Sequence, residues 1–280
     1  MLDWLGNRAD SLWYWVIAVV FLMLAAWETV RPARPDSGTL LWRWSSNFGI
    51  YAVNASILGL LAPAAIIEAY LEARGFPRLF AGLGNVCGDW VVLLAGIVVL
   101  DLYAYLLHRV QHASFLLWRL HAVHHADADM DASTTVRHHP GEFVLSSIIG
   151  ATVAALIGLP VWVFPVYALI AISISLIQHA NARLPERLDR LAQTVLVTPG
   201  MHRVHHSVDA AEYNGNYGTV LSIWDRMFGT YRQRPHGQDV VAFGVDPFTA
   251  PRYARPHWAL LLPFALSPTT IQPAADSHAD

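Results

Sequence analysis

From Phe143 to Gln178 the chain runs for 36 residues without a charged side chain. One bilayer crossing needs only about 20 residues, so this run is too long for a single span. Gly158-Leu-Pro160 and Pro165 interrupt it near the middle. That predicts a helical hairpin of two short arms that enters a membrane and returns on the same side, each arm of about 17 residues falling just short of a full crossing. Three more apolar stretches precede it: Leu12–Trp27, Phe48–Ile67 with 20 uncharged residues, and Trp90–Leu107, whose only charge is Asp101. Charged residues make up 14% of the chain, against about 25% in soluble domains. The expected fold class is an all-α integral membrane protein with about four membrane helices in two hairpins and a cytosolic, helical, histidine-rich cap.

Arginine placement orients this arrangement. All 18 basic residues are arginine. With the N-terminus outside, 15 of them fall on the inner side and Arg8, Arg74 and Arg78 on the outer side, as the positive-inside rule requires. Segments 108–142 and 179–257, which carry the histidines, then face the cytoplasm. Asp3 and Asp10 stand where a secretory signal would be basic, so no cleavable signal is expected. Trp258–Leu266 is too short to span and is expected on the membrane surface, with a disordered tail after Pro268. A net charge of −3 without a basic block argues against nucleic acid as a partner. The absence of lysine excludes Schiff-base and P-loop lysine chemistry, and the single Cys87 excludes an internal disulfide or a cysteine-built metal site.

Eleven of the 14 histidines lie between His108 and His206. His108-Arg-Val-Gln-His112 places two imidazoles one turn apart on a helical face. His121-Ala-Val-His124-His125 and His202-Arg-Val-His205-His206 repeat one pattern, and positions i, i+3 and i+4 share a face, so each triplet is expected to direct three rings toward one centre. Eight imidazoles exceed the demand of one ion and argue for two. His139, before the hairpin, and His179, after it, are further candidates brought to the same face. His138 is either a ligand or a neighbour that only hydrogen-bonds. His236, His257 and His278 have no partners at helical spacing and read as surface residues. All-imidazole sites suit iron, copper, nickel or zinc. Asp101, Asp127, Glu142, Asp209 and Asp225 are candidates to hold the second ring nitrogens, Asp101 because an ionisable group in an apolar span is costly. Trp118, Trp224, Phe228 and Tyr231 could guide a lipid or form an interfacial belt.

The runs Asp101–His112, Leu117–His125, Arg137–Glu142, Thr198–Ser207, Asn216-Tyr-Gly218 and Trp224–Thr230 together resemble the fatty acid hydroxylase (sterol desaturase) superfamily. Ala126 and Asp131 depart from it, standing where many members have serine and where a bacterial branch often has asparagine. The resemblance implies a membrane-bound non-haem di-iron oxygenase that hydroxylates or desaturates a lipid, with O2 as co-substrate. Two iron ions would be held by His108, His112, His121, His124, His125, His202, His205 and His206, with His179 and His139 added and zinc a substitute in recombinant material. Without a flavin or nicotinamide fingerprint, electrons would come from a separate donor, a ferredoxin or a cytochrome with its reductase. The chain then divides into membrane segments 1–89, a catalytic domain 90–232 and an extension 233–280, and its lack of lysine points to a bacterial inner membrane. A metal-dependent membrane hydrolase would want a His-Glu-x-x-His motif, which is absent; a metal transporter would place its histidines near the bilayer midplane.

Overall fold

The uncharged run breaks at Gly158, which closes its first arm with φ 74° and ψ 35°, a left-handed cap that suits glycine. The computed structural model describes residues 2–35, 37–61, 83–160, 162–234 and 242–267 with positions 67, 70, 74, 75 and 80; side chains are described from Trp13 onward, Asn85 excepted. His236, His278, the tail after Pro268 and part of Phe48–Ile67 lie outside the described residues. The helices are α1 (Leu2–Val30), α2 (Leu40–Leu61), α3 (Leu83–Cys87), α4 (Asp89–Ala113), α5 (Phe115–His125), α6 (Pro140–Ile157), α7 (Val163–His179), α8 (Glu186–Ala192), α9 (Pro199–His205), α10 (Ala210–Tyr213), α11 (Ile223–Met227) and α12 (Trp258–Ala265), with 3-10 turns at Ala132–Val136 and Pro251–Ala254. Among the described residues, strand pairing is limited to two isolated bridges, Leu196 with Leu221 and Ser207 with Phe243.

Among the described residues, three helices are long and apolar enough to cross a membrane: α1 from Trp13, α4 and α6. The shorter apolar α7 completes the hairpin. Of its arms, α6 leans on α2 and α4, and α7 on α1 and α4. Gly96 of α4 permits the last contact, because a Cβ there would lie 2.6 Å from Val163 Cγ1.

The described part of α2 does not join the three spans, although Phe48–Ile67 was expected to cross. Averaged apolarity hides a buried stripe of Arg43, Ser46, Asn47, Ile50 and Asn54 at helical spacing. This stripe meets the cap rather than lipid. Arg43 pairs with Asp127 (Nη2–Oδ2 3.1 Å) and Asp131 (Nη1–Oδ2 3.0 Å). Asn47 donates to Ser133 Oγ at 2.8 Å and Asn54 to the His138 carbonyl at 2.9 Å. The fully buried Arg137 answers from the cap, donating to Ser46 Oγ and Asn47 Oδ1 at 2.9 Å and to the Val123 carbonyl at 2.8 Å. Burial pushes the Asp127 carboxyl up, but the Arg43 guanidinium more than reverses this and holds it well below the usual range. Removing one partner of such a buried pair typically costs about 3–5 kcal/mol.

Nor does α12 lie alone on a surface. Ala259 and Leu262, with Leu266 just beyond, pack into a core with Trp118, Ala122, Val123 and Ile50, leaving Leu260, Leu261 and Phe264 exposed. His257, just before it, is exposed as expected.

Candidate metal centre

Nine histidines converge into two adjoining groups: His108, His112, His121, His125 and His205 in one, His124, His179, His202 and His206 in the other. Within each, one potential ligand atom per residue lies within 4.8 Å of the others. The expectation that each triplet faces a single centre needs correction. His121 and His125 enter the first group while His124 enters the second; His202 and His206 enter the second while His205 enters the first. The helix dictates this split. Positions i and i+4 differ by about 40° around the axis, whereas i+3 lies about 100° from i+4. Two oppositely shared triplets therefore build two sites side by side, with the His125 and His206 rings stacked at 4.5 Å across the boundary.

Hydrogen bonds fix the tautomers, and the tautomers call for a cation. His108 Nδ1 lies 2.9 Å from the Tyr217 carbonyl and His205 Nδ1 2.7 Å from that of Gly215. A carbonyl only accepts, so both Nδ1 atoms carry hydrogen and both Nε2 atoms present lone pairs. Those Nε2 atoms nevertheless face each other at 3.0 Å, and His108 Nε2 also stands 3.0 Å from His121 Nε2. Burial pushes His205 protonation down to about 3, so a shared proton does not occupy the gap at neutral pH. Nitrogens about 2.1 Å from one ion and at right angles to each other lie about 3.0 Å apart. In the second group His179 Nδ1 donates to the Ser175 carbonyl at 2.7 Å, and its Nε2 lies 3.1 Å from that of His124 and 3.0 Å from that of His202. Burial likewise drives His124, His125, His202 and His206 well below their ordinary pKa, keeping them neutral as ligation requires. His112 Nδ1 and Nε2 and His125 Nε2 are buried without protein partners. The residues fit a pair of bound metal ions.

Of the five carboxylates put forward to support the centre, only Glu142 touches its rings. Glu142 Oε1 accepts from His121 Nδ1 at 2.8 Å and from His138 Nδ1 at 3.1 Å. Asp101 instead accepts from the Val220 and Leu221 amides at 3.0 Å and the Trp224 indole at 2.8 Å. Asp225 accepts from the Tyr217 and Gly218 amides at 2.8 and 2.9 Å and from Thr230 Oγ1 at 2.7 Å. Both acids act one step removed, holding the loop whose Gly215 and Tyr217 carbonyls orient His205 and His108. Asp127 serves Arg43, and Asp209 caps α10 through the Ala211 amide at 2.9 Å.

His139 stays outside both groups. Pro140 opens α6, making His139 its N-cap, and its Nδ1 accepts from the Gly141 amide at 3.0 Å. The ring of His138 turns inward instead, stacking on His124 at 4.6 Å. Trp118 and Trp224 are buried rather than interfacial. Trp118 stacks on Tyr213 at 5.2 Å and lies 4.7 Å from His112. Beside it a cavity of about 290 Å³, rimmed by Ser207, Asp209 and Asp246, reaches His125.

Residues 93–230, which contain both groups entire, match the fatty acid hydroxylase family. The chain is similar to that family over this segment. Among the proteins the chain resembles, an ornithine lipid hydroxylase of Rhizobium tropici is 33% identical over 150 residues, covering 53% of this chain and 44% of the relative. An alkylglycerol monooxygenase of Danio rerio is 34% identical over 158 residues, covering 56% and 33% respectively. A very-long-chain aldehyde decarbonylase of Oryza sativa is 28% identical over 141 residues, covering 49% and 53%. The matched part thus spans less than half the length of the first two relatives. No solved structure matches the chain.

Proposed function

We propose that this protein is a membrane-bound non-haem di-iron oxygenase that hydroxylates or desaturates a lipid, using O2 and electrons from a separate donor such as a ferredoxin or a cytochrome with its reductase. The observation that carries the reading is the pair of adjoining histidine groups whose lone pairs face one another at 3.0 Å. His108, His112, His121, His125 and His205 would hold one iron and His124, His179, His202 and His206 the other. Bound iron supplies the activation of dioxygen and the removal of hydrogen from an unactivated methylene. The chain supplies the rest. Glu142 and the Gly215 and Tyr217 carbonyls fix ring orientation, the buried surroundings exclude water, and the cavity beside His125 gives access. The absence of lysine and the arginine distribution support a place in a bacterial inner membrane with the cap toward the cytoplasm.

The test is metal stoichiometry on the full chain purified in detergent from iron-replete and zinc-replete cultures, with His121→Ala and His205→Ala alongside. About two metals per chain, reduced in both variants, and oxygenated lipid products from iron-loaded protein alone are the expected results. One metal or none, unchanged by either substitution, would overturn the ligand assignment. Two metals with no lipid product would leave the centre standing and remove the oxygenase reading.

A further inference from the structure

We propose that α8, the following segment to Leu196, and α11 form a wedge set into the cap-side leaflet beside α4, its apolar face among the acyl chains and its arginines at acidic headgroups. Its depth follows from α4 itself. That helix has 25 residues, about 37 Å of rise against a hydrocarbon core of about 30 Å. Asp101 stands near its midpoint, about 18 Å from the start. There it binds the Val220 and Leu221 amides and the Trp224 indole, and one turn further Tyr105 stacks on Phe228 at 5.4 Å. The Val220–Phe228 segment therefore runs alongside a membrane helix at the level of its middle and cap-side half. Non-helical backbone is tolerated at that depth only where its polar groups are met by protein, and the Asp101 carboxylate meets the Val220 and Leu221 amides.

What this segment presents outward is apolar. Ile223, Met227 and Phe228 are 44%, 64% and 43% exposed; Leu188, Leu191 and Val195, at i, i+3 and i+7, are 51%, 69% and 56% exposed. The two rows are physically joined. The Ser222 amide donates to the Val195 carbonyl at 3.0 Å, and Arg226 Nη2 donates to the Gln193 carbonyl at 2.7 Å. Around them stand the exposed Arg187, Arg190 and Arg226, Arg190 paired with Glu186 at 3.6 Å and Arg226 lying 3.9 Å over the Tyr231 ring. An apolar patch rimmed by arginines and an aromatic suits the boundary between acyl chains and acidic headgroups. A soluble partner or a second copy would have to dock at the depth of α4's midpoint. This proposal rests on α4 crossing the bilayer and not on the oxygenase reading.

The test uses the full chain with Cys87→Ser and one environment-sensitive fluorophore at Leu191→Cys or Met227→Cys. Leu94→Cys, on the exposed face of α4, serves as the lipid reference. Each is placed in nanodiscs of phosphatidylcholine with or without phosphatidylglycerol. Quenching at 191 and 227 by doxyl-labelled lipid, as at 94, and not by aqueous iodide is the expected result, with deeper burial in the acidic discs. Arg187→Gln combined with Arg226→Gln should abolish that difference. Iodide quenching at both positions would show a water-facing patch, and resistance to both quenchers would show protein cover; either overturns the proposal. Equal depth in both lipids would overturn its acidic-leaflet half.

Discussion

The two histidine groups are assembled from the same kinds of motif, yet they are held differently. In the five-histidine group His108, His121 and His205 each have Nδ1 fixed by the Tyr217 carbonyl, Glu142 or the Gly215 carbonyl. In the four-histidine group only His179 is so held; Nδ1 of His124, His202 and His206 is buried without a protein partner. A partner on the second ring nitrogen sets tautomer and orientation and changes metal affinity by about 10–100-fold, while each buried unpaired N–H costs about 1–3 kcal/mol. Identical sequence triplets thus produce a preorganised site and a looser one. The difference comes from what surrounds the rings, chiefly a loop of backbone carbonyls pinned by two buried acids.

Acid is the perturbation with the largest expected effect, and the one under which the groups should behave alike. Burial lowers His205 to about 3 and His179 neighbours such as His202 and His206 well below 6.5. Between that folded value and the unfolded pKa of about 6.5, the unfolded chain binds more protons than the folded one. Stability of the metal-free protein therefore rises with pH across this window and is lost progressively as pH falls below 6.5 toward 3. Thermal unfolding of chelator-treated protein across that range checks this; a midpoint independent of pH would mean the rings are not buried neutral.

Asp225→Ala comes next and separates the groups. It strips acceptors from the buried Tyr217 and Gly218 amides and from Thr230, for a destabilisation of about 3–9 kcal/mol at about 1–3 kcal/mol per orphaned donor. Because the loop orients His108 and His205, metal should leave the five-histidine group first. Loss from both groups in parallel would break the comparison. Glu142→Gln is a milder version aimed at one ring: a drop of about 10–100-fold in affinity at the five-histidine site in chelator competition. His138 transmits a smaller effect to the other site through its stack on His124.

The rings themselves were legible in the sequence because helical spacing is a direct geometric statement, and so was the hairpin, whose Gly158 breaks the run. The acceptors were not. Gly215 and Tyr217 act through carbonyls, which carry no side-chain signal, and Asp101 meets amides more than a hundred residues away. His139 could have been placed correctly from His-Pro-Gly, since a residue before an N1 proline is a helix cap before it is a ligand. The stripe of Arg43, Asn47 and Asn54 on α2 was also there to read. Counting charges along the apolar run missed it, because a single buried polar face is diluted by the lipid-like residues around it.

The smallest expected effect probes the looser group from its one fixed ring. His179 Nδ1 has two kinds of partner, the Ser175 carbonyl at 2.7 Å and Thr135 Oγ1 at 3.2 Å. Thr135→Val keeps the shape of the side chain and removes only the longer contact. The shorter carbonyl bond still fixes the tautomer, so affinity at the four-histidine site should fall by no more than about fivefold, corresponding to a neutral hydrogen bond of about 1 kcal/mol. The five-histidine site should be unchanged. A loss as large as that of Glu142→Gln would mean that the hydroxyl, not the carbonyl, sets the ring. The four-histidine group would then depend on the Ala132–Val136 turn, and through its Ser133 contact on Asn47 of α2, as heavily as the other group depends on its loop.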